Sequence, residues 1–268
     1  MKNSTIYGLI FALLSVGFGM VLKGASLTAL LNLPAILIIF GGTISVIIIS
    51  YPVSELKKIP VLLKIAFVEP KLLPKKEVIR LFTEWAMITR REGLLALESR
   101  VEEIDDEFLK NGMRMIIDGN DHDFVRDVLL EDISAMEERH RNGAAIFTTA
   151  GSTAPTLGVL GAVVGLVAAL GHMEDISTLG ASIAAAFIAT LFGIFTGYVL
   201  WHPIATRLKQ ISKKEVELKM MIVEGLLSIQ SGISTIAIEQ KLMVFLSPNE
   251  RADNEEEGVV QDAKAEAN

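Results

Sequence analysis

Four stretches of the chain, residues 4–22, 24–54, 142–173 and 176–206, contain no Asp, Glu, Lys or Arg, and together they cover 113 residues. All 57 charged side chains are therefore confined to the other 155 residues. A surface helix or strand of a water-soluble domain keeps one wet face and so intersperses charge along its length. A bilayer helix instead needs about 20 consecutive apolar residues to cross about 30 Å of hydrocarbon. Each stretch is long enough for one crossing. Strand signals are almost absent elsewhere. The expected fold is an all-α membrane protein with four transmembrane helices in two hairpins and a large helical cytoplasmic insert, and the charge-free runs argue against a soluble cytosolic enzyme.

The spans are expected at about 6–22, 33–51, 144–171 and 179–202. Asn32-Leu33-Pro34 and Tyr51-Pro52 bound the second and Pro203 stops the fourth, because proline suits the first turn of a helix but not its interior. The first stretch does not read as a signal peptide, since no small-x-small site follows it and three more spans remain. Lys57, Lys58 and Lys64 follow the second span, and Arg207, Lys209, Lys213 and Lys214 follow the fourth, whereas the connector 172–178 has neither Lys nor Arg. By the excess of basic residues on the cytoplasmic side, both termini and the insert face the cytoplasm.

The chain thus divides into a transmembrane hairpin (1–51), a cytoplasmic helical insert (52–143), a second transmembrane hairpin (144–203), a cytoplasmic helical segment (204–247) and an acidic, disordered tail (248–268). In the insert, Val78, Leu81, Phe82, Trp85, Ile88, Leu94, Leu95 and Leu97 recur at spacings of three and four, which predicts an amphipathic helix running through TRREGLLALE. Further helices are expected at 106–117 and 123–139, the latter able to run on into the third span. The net charge of −7 is mostly the tail, whose last twenty residues hold seven acids and two bases. No basic patch points to nucleic acid. The absence of cysteine excludes a disulfide scaffold, an iron–sulfur cluster and any Cys-based zinc site.

Small residues line the last two spans. Ala181, Ala185, Ala189, Gly193 and Gly197 repeat every fourth residue in the fourth span, and Gly161, Gly165 and Ala169 do so in the third, beside Ala150, Ala154, Gly158 and Ala162. Such stripes let helix backbones approach closely in lipid. They are expected to serve oligomerisation more than packing inside one subunit, while the branched residues of the second span suit a lipid-facing position. Polar groups in the spans are hydroxyls. Thr149, Ser152, Thr153 and Thr156 are expected on one face of the third span, with Thr156 and Thr190 near the midplane at similar depth. Ion-coupled transporters usually bury Asp, Glu, His or Lys within the bilayer, and these spans have none, so ion translocation requires a partner that supplies the titratable group. No P-loop, metal-ligand cluster or nucleophile–base pair is present, and the chain is not expected to be an enzyme or to hold a cofactor. His122, His140, His172 and His202 are scattered and read as surface or interface residues.

TRREGLLALE at 89–98, FLKNG at 108–112, AMEERH at 135–140, APTLGVLGAVVGL at 154–166 and FGIFTGYVLWHP at 192–203 resemble the MotA family, the larger stator subunits of bacterial flagellar motors. The resemblance runs from about residue 5 to 247 and includes the span layout. It is closest to Bacillus-type members, which are usually proton-driven. It implies residence in the bacterial cytoplasmic membrane and a homo-pentameric ring around two helices of MotB, which supplies the ion-accepting Asp and the cell-wall anchor. It also implies torque on the rotor switch protein FliG and H+ as the transported ion, with Na+ as the alternative. By motif, the rotor-contact charges fall on Arg90 and Glu98 and the coupling prolines on Pro155 and Pro203. Thr153, Thr156 and Thr190 are the expected hydroxyls of the ion path, and Gly161, Gly165, Ala185, Ala189, Gly193 and Gly197 the expected packing positions.

Two competing readings are an ExbB/TolQ-type energising subunit, against which the amino-terminal hairpin argues, and a self-contained ion-coupled secondary transporter. The latter should show a buried acid or cation and often an internal repeat, and neither is visible.

Overall fold

The computed structural model describes residues 4–171 and 173–251, and every regular element among them is helical. His172 and most of the acidic tail lie outside the described residues. The principal helices are α1 (Ser4–Leu22), α2 (Leu33–Ser50), α3 (Ile59–Phe67), α4 (Lys75–Glu92), α5 (Glu107–Ile117), α6 (His122–Leu170), α7 (Ile176–Gln230) and α8 (Thr235–Met243). Of these, α1, α2, α6 and α7 are long and apolar enough to cross a membrane.

Caps set the membrane helices at their starts. The Asn32 side chain accepts from the Ala35 N–H at 3.1 Å with Pro34 in the first turn of α2. Asp175 accepts from the Ser177 and Thr178 N–H groups at the start of α7. Each cap satisfies donors that a helix leaves open at its first turn. The helix of the fourth span therefore begins at Ile176, three residues before the expected start of the span.

Pro203 does not stop the helix of the fourth span. Helix α7 runs on to Gln230, and the turn before the proline, Thr196–Trp201, is a π turn. A proline ring removes one N–H and collides with the carbonyl four residues back, and the wider turn absorbs that misfit without ending the helix. The third span is likewise the end of a 49-residue helix that carries Pro155 in its interior.

TRREGLLALE is not one helix. α4 ends at Glu92, Gly93 adopts φ 88° and ψ 171°, a 3-10 turn covers Leu94–Leu97, and a short helix follows over Glu98–Glu102. The positive φ is open to glycine because no Cβ clashes there. The break turns Leu97 fully inward and leaves Leu95 exposed, which one continuous amphipathic face would not do.

The chain forms two compact units. One contains residues 4–70 and 139–211, the other 71–138 and 212–251. In the second unit Phe82 and Trp85 of α4, Leu109 and Met113 of α5, and Met221 and Leu226 of α7 belong to one fully buried core. The Phe82 and Trp85 rings meet edge-on at 5.7 Å, and burial of each such side chain is worth roughly 1.5–3 kcal/mol. Asp106 caps α5 through the Leu109 N–H at 2.9 Å. Glu102 accepts from Arg114 and pairs with Lys110 at 3.1 Å, and these hydrogen bonds, Arg114's first, hold its carboxyl below the usual carboxylate range. In the first unit α3 packs beside α6 and α7 in a cluster of Ala66, Ala144, Phe147, Ile204, Ala205 and Leu208, with the Phe147 and Trp201 rings stacked at 6.3 Å.

Candidate functional site

The small-residue stripes of α6 and α7 face each other inside one subunit. A Cβ built on Gly158 would lie 2.9 Å from both the Ala189 carbonyl oxygen and the Gly193 Cα, and one on Gly193 would lie 2.7 Å from the Gly158 Cα. Gly161 sits against the Ala189 methyl (3.1 Å) and Gly165 against that of Ala186 (3.0 Å). Ala185 offers its carbonyl to the Asn32 side chain at 3.5 Å. Backbone-to-backbone approach of this kind needs glycine on both sides. The stripes are thus accounted for by packing within the subunit, and they do not themselves argue for a ring of subunits.

This antiparallel register fixes relative depth. Gly158 pairs with Gly193 and Gly165 with Ala186, so Thr156 is level with about residue 195, between one and two turns or about 7.5 Å along α7 from Thr190. The two hydroxyls are near neighbours in depth but not at one level. Thr190 is half-buried and its hydroxyl leans toward the Ala186 carbonyl at 3.5 Å.

Burial also divides the hydroxyl line of α6. Ser152 and Thr156 are exposed and donate to the Thr148 and Ser152 carbonyls at 3.0 and 3.3 Å. Thr149 and Thr153 are half-buried, and Thr149 shares a 2.8 Å hydrogen bond with the Tyr51 hydroxyl at the end of α2. Bonding to the carbonyl four residues back is what a threonine or serine does in any membrane helix. The exposed pair continues into exposed Val159 and Val163 on the same helix, an apolar face of α6 that α7 leaves uncovered.

Pro155 lies at a close approach of the two helices. A Cβ on Gly197 would be 2.7 Å from the Pro155 Cγ and 2.6 Å from the Gly151 carbonyl oxygen, the atom an ordinary residue at 155 would bond. Gly197 is in the π turn that precedes Pro203, so both irregularities, the proline of α6 and the widened turn of α7, are packed on each other. Pro203 itself is exposed, while His202 lies over Gly151, whose Cβ would be 2.8 Å from the imidazole. Tyr51, Gly151, Thr196 and His202 belong to this junction and were not legible as such. Thr196 is buried and donates to the Phe192 carbonyl at 2.7 Å. Only Tyr51 carried a signal, as an aromatic residue at a span end.

Arg90 and Glu98 are exposed on either side of Gly93, Arg90 in the last turn of α4 and Glu98 in the first turn of the next helix. Neither makes an ion pair with the described residues of the subunit, whereas neighbouring Glu84 and Arg100 pair at 3.1 Å. Two unspent charges of opposite sign thus flank a glycine-set corner.

Residues 100–221 match the MotA/TolQ/ExbB proton channel family. Motility protein A of Bacillus subtilis (strain 168) is 52% identical over 264 residues, 98% of each chain. The structure of the flagellar MotAB stator complex from Bacillus subtilis superposes with a TM-score of 0.89 at 53% identity, covering 93% of this chain and 98% of that one. The structure of C. jejuni MotAB does so with a TM-score of 0.87 at 34% identity, covering 92% and 97%. These similarities take in the amino-terminal hairpin as well as the second one, and the chain belongs to the motility protein A family of the MotA/TolQ/ExbB proton channels.

Proposed function

We propose that this subunit and a MotB-type partner together form the ion path and carry its energy to the rotor. The chain is a flagellar stator subunit, an ion-channel component and not an enzyme, built into the membrane through its apolar helices. The observation that carries the reading is the full-length likeness to the MotAB stator complex. The spans of this chain bring no acid of their own. The carboxylate that accepts the ion is MotB's, on a helix lying against the exposed hydroxyl-and-valine face of α6, and H+ is the ion that a lone carboxylate among hydroxyls serves best. Na+ would call for several oxygen ligands at once.

Five copies surround two MotB helices in the bacterial inner membrane. Both termini and the insert lie in the cytoplasm, on the side where Lys57, Lys58, Arg207 and Lys209 gather. The chain's two transmembrane hairpins hold the ring, and the insert carries Arg90 and Glu98 to the charged surface of FliG. Neutralising the MotB carboxylate removes a charge beside α6. The Pro155–Gly197 contact is where such a change finds a helix already lacking one hydrogen bond, and a helix bends most easily there. Expression of the chain with its MotB in a stator-deleted strain tests the reading. Swimming should be restored only by the pair, and restoration by the chain without MotB would refute it.

A further inference from the structure

The first unit contains a cavity of about 720 Å³ that the ion path does not use. It opens between the start of α1, the end of α3 and the segment of α7 around the π turn. Its apolar part is formed by Gly8, Leu9, Phe67 and Val199, and its polar end by Thr206, Arg207 and Gln210. Among the described residues Arg207 is the only Lys, Arg, Asp or Glu lining it. This is a usual size for a ligand site, and an apolar wall with a few convergent polar groups is the usual composition.

Two features say what would fill it. First, its depth coincides with the edge of the bilayer, because the charge-free stretch of α1 begins at residue 4 and that of α7 ends at Thr206, immediately before Arg207. Second, the Arg207 guanidinium is under-used. Its Nη2 donates to Glu69 at 2.9 Å, while its Nε is buried with no partner. A guanidinium is a rigid fork of five donors that fits phosphate oxygens in pairs. Glu69 neutralises part of its charge but does not line the cavity. Basic pockets between membrane helices at the level of the headgroups bind anionic lipid.

We propose that this cavity is a site for one anionic phospholipid, its phosphodiester on Arg207 and Gln210 and the upper part of one acyl chain along Gly8, Leu9 and Val199. The phosphodiester supplies acceptors for guanidinium N–H groups other than the buried Nε, on a side chain that is 26% exposed, and the acyl chain covers a wall that is otherwise an open apolar hollow. A Cβ built on Gly8 meets nothing within 4 Å, so this position has room for a larger side chain. The bound lipid would sit against His202 and Pro203 and so brace the π turn.

The test is native mass spectrometry of the full-length subunit with its MotB partner, released from nanodiscs of phosphatidylcholine containing phosphatidylglycerol. Wild type should retain phosphatidylglycerol in preference to phosphatidylcholine. Retention should fall about tenfold in Arg207→Gln, the loss expected for charge-assisted hydrogen bonds, and comparably in Gly8→Phe, which fills the apolar part and leaves the charge in place. Millimolar inorganic phosphate should not displace the lipid. Equal retention by wild type and both variants would overturn the site, and so would displacement by phosphate, which would make it a phosphate site. Loss of the assembled complex in Gly8→Phe would also overturn it, because the hollow would then be filled by a neighbouring subunit.

Discussion

Pro155 packs on Gly197: the space that a Cβ at 197 would take is already held by the proline ring, 2.7 Å away, and by the Gly151 carbonyl oxygen, 2.6 Å away. The position of one helix irregularity is thus fixed by the other. Gly197→Ala must push the helices apart, and overpacking of this kind costs about 1–3 kcal/mol. Gly180→Ala, where a Cβ meets nothing within 4 Å, should instead be neutral or mildly stabilising. Thermal unfolding of the two purified variants checks the contrast.

Pro155→Ala gives residue 155 an N–H that can bond the Gly151 carbonyl and straighten α6. The complex should still assemble at a normal level in the membrane, yet swimming speed should drop severely. Immunoblots of membranes beside swim-plate diameters separate the two. Loss of the protein from the membrane would make Pro155 a folding residue instead.

Arg90 and Glu98 have no partner to lose among the described residues of the subunit, so reversing them should not destabilise it. Exposed pairs are worth roughly 0–1 kcal/mol each, and each single reversal should therefore only slow swimming. The double variant Arg90→Glu, Glu98→Lys should abolish it at unchanged membrane level. Normal swimming by the double variant would remove both residues from the rotor contact.

Hydrogen bonds from the side chains of Thr178 and then Ser177, followed by their N–H groups, pull the Asp175 carboxyl down to about 2. A folded-state value below the unfolded one means that the ionised cap stabilises fully above about pH 4 and loses that effect as pH falls toward 2. The Tm difference between wild type and Asp175→Ala should therefore be constant from pH 7 to about 4.5 and shrink below it. A difference that shrinks already near pH 6 would contradict the cap.

Thr190 is half-buried about 7.5 Å in depth from Thr156, and its hydroxyl makes a long hydrogen bond to the Ala186 carbonyl. Thr190→Val keeps the shape and removes the hydroxyl. Ion flux through the assembled complex should fall, and unchanged flux would make Thr190 a packing residue.

Much of this was legible before any coordinates. Charge-free runs fix bilayer helices because the cost of a buried charge is independent of tertiary detail, and α1, α2, α6 and α7 follow from it. Turn geometry was less legible. Pro203 reads as a stop because proline normally is one, and only the packing of Gly197 on Pro155 reveals why a π turn carries the helix past it. Gly93 lies inside a run of leucines at helical spacing, and the periodicity hides the break. The stripes Gly161, Gly165, Ala189 and Gly193 announce close helix contact without naming the partner helix, which is in the same subunit. Tyr51, Gly151 and His202 meet α6 or α7 from distant parts of the sequence, and no local pattern joins them.

The central claim is that the chain supplies the walls of an ion path and its partner supplies the acid. The direct measurement is the rate of cytoplasmic acidification, read by a pH-sensitive fluorophore, in stator-deleted cells under an imposed proton gradient. Cells would express the chain alone, the chain with MotB, or the chain with a MotB whose span Asp is changed to Asn. Acidification above background is predicted for the chain with unaltered MotB and for neither of the others. Equal acidification by the chain alone would contradict the account.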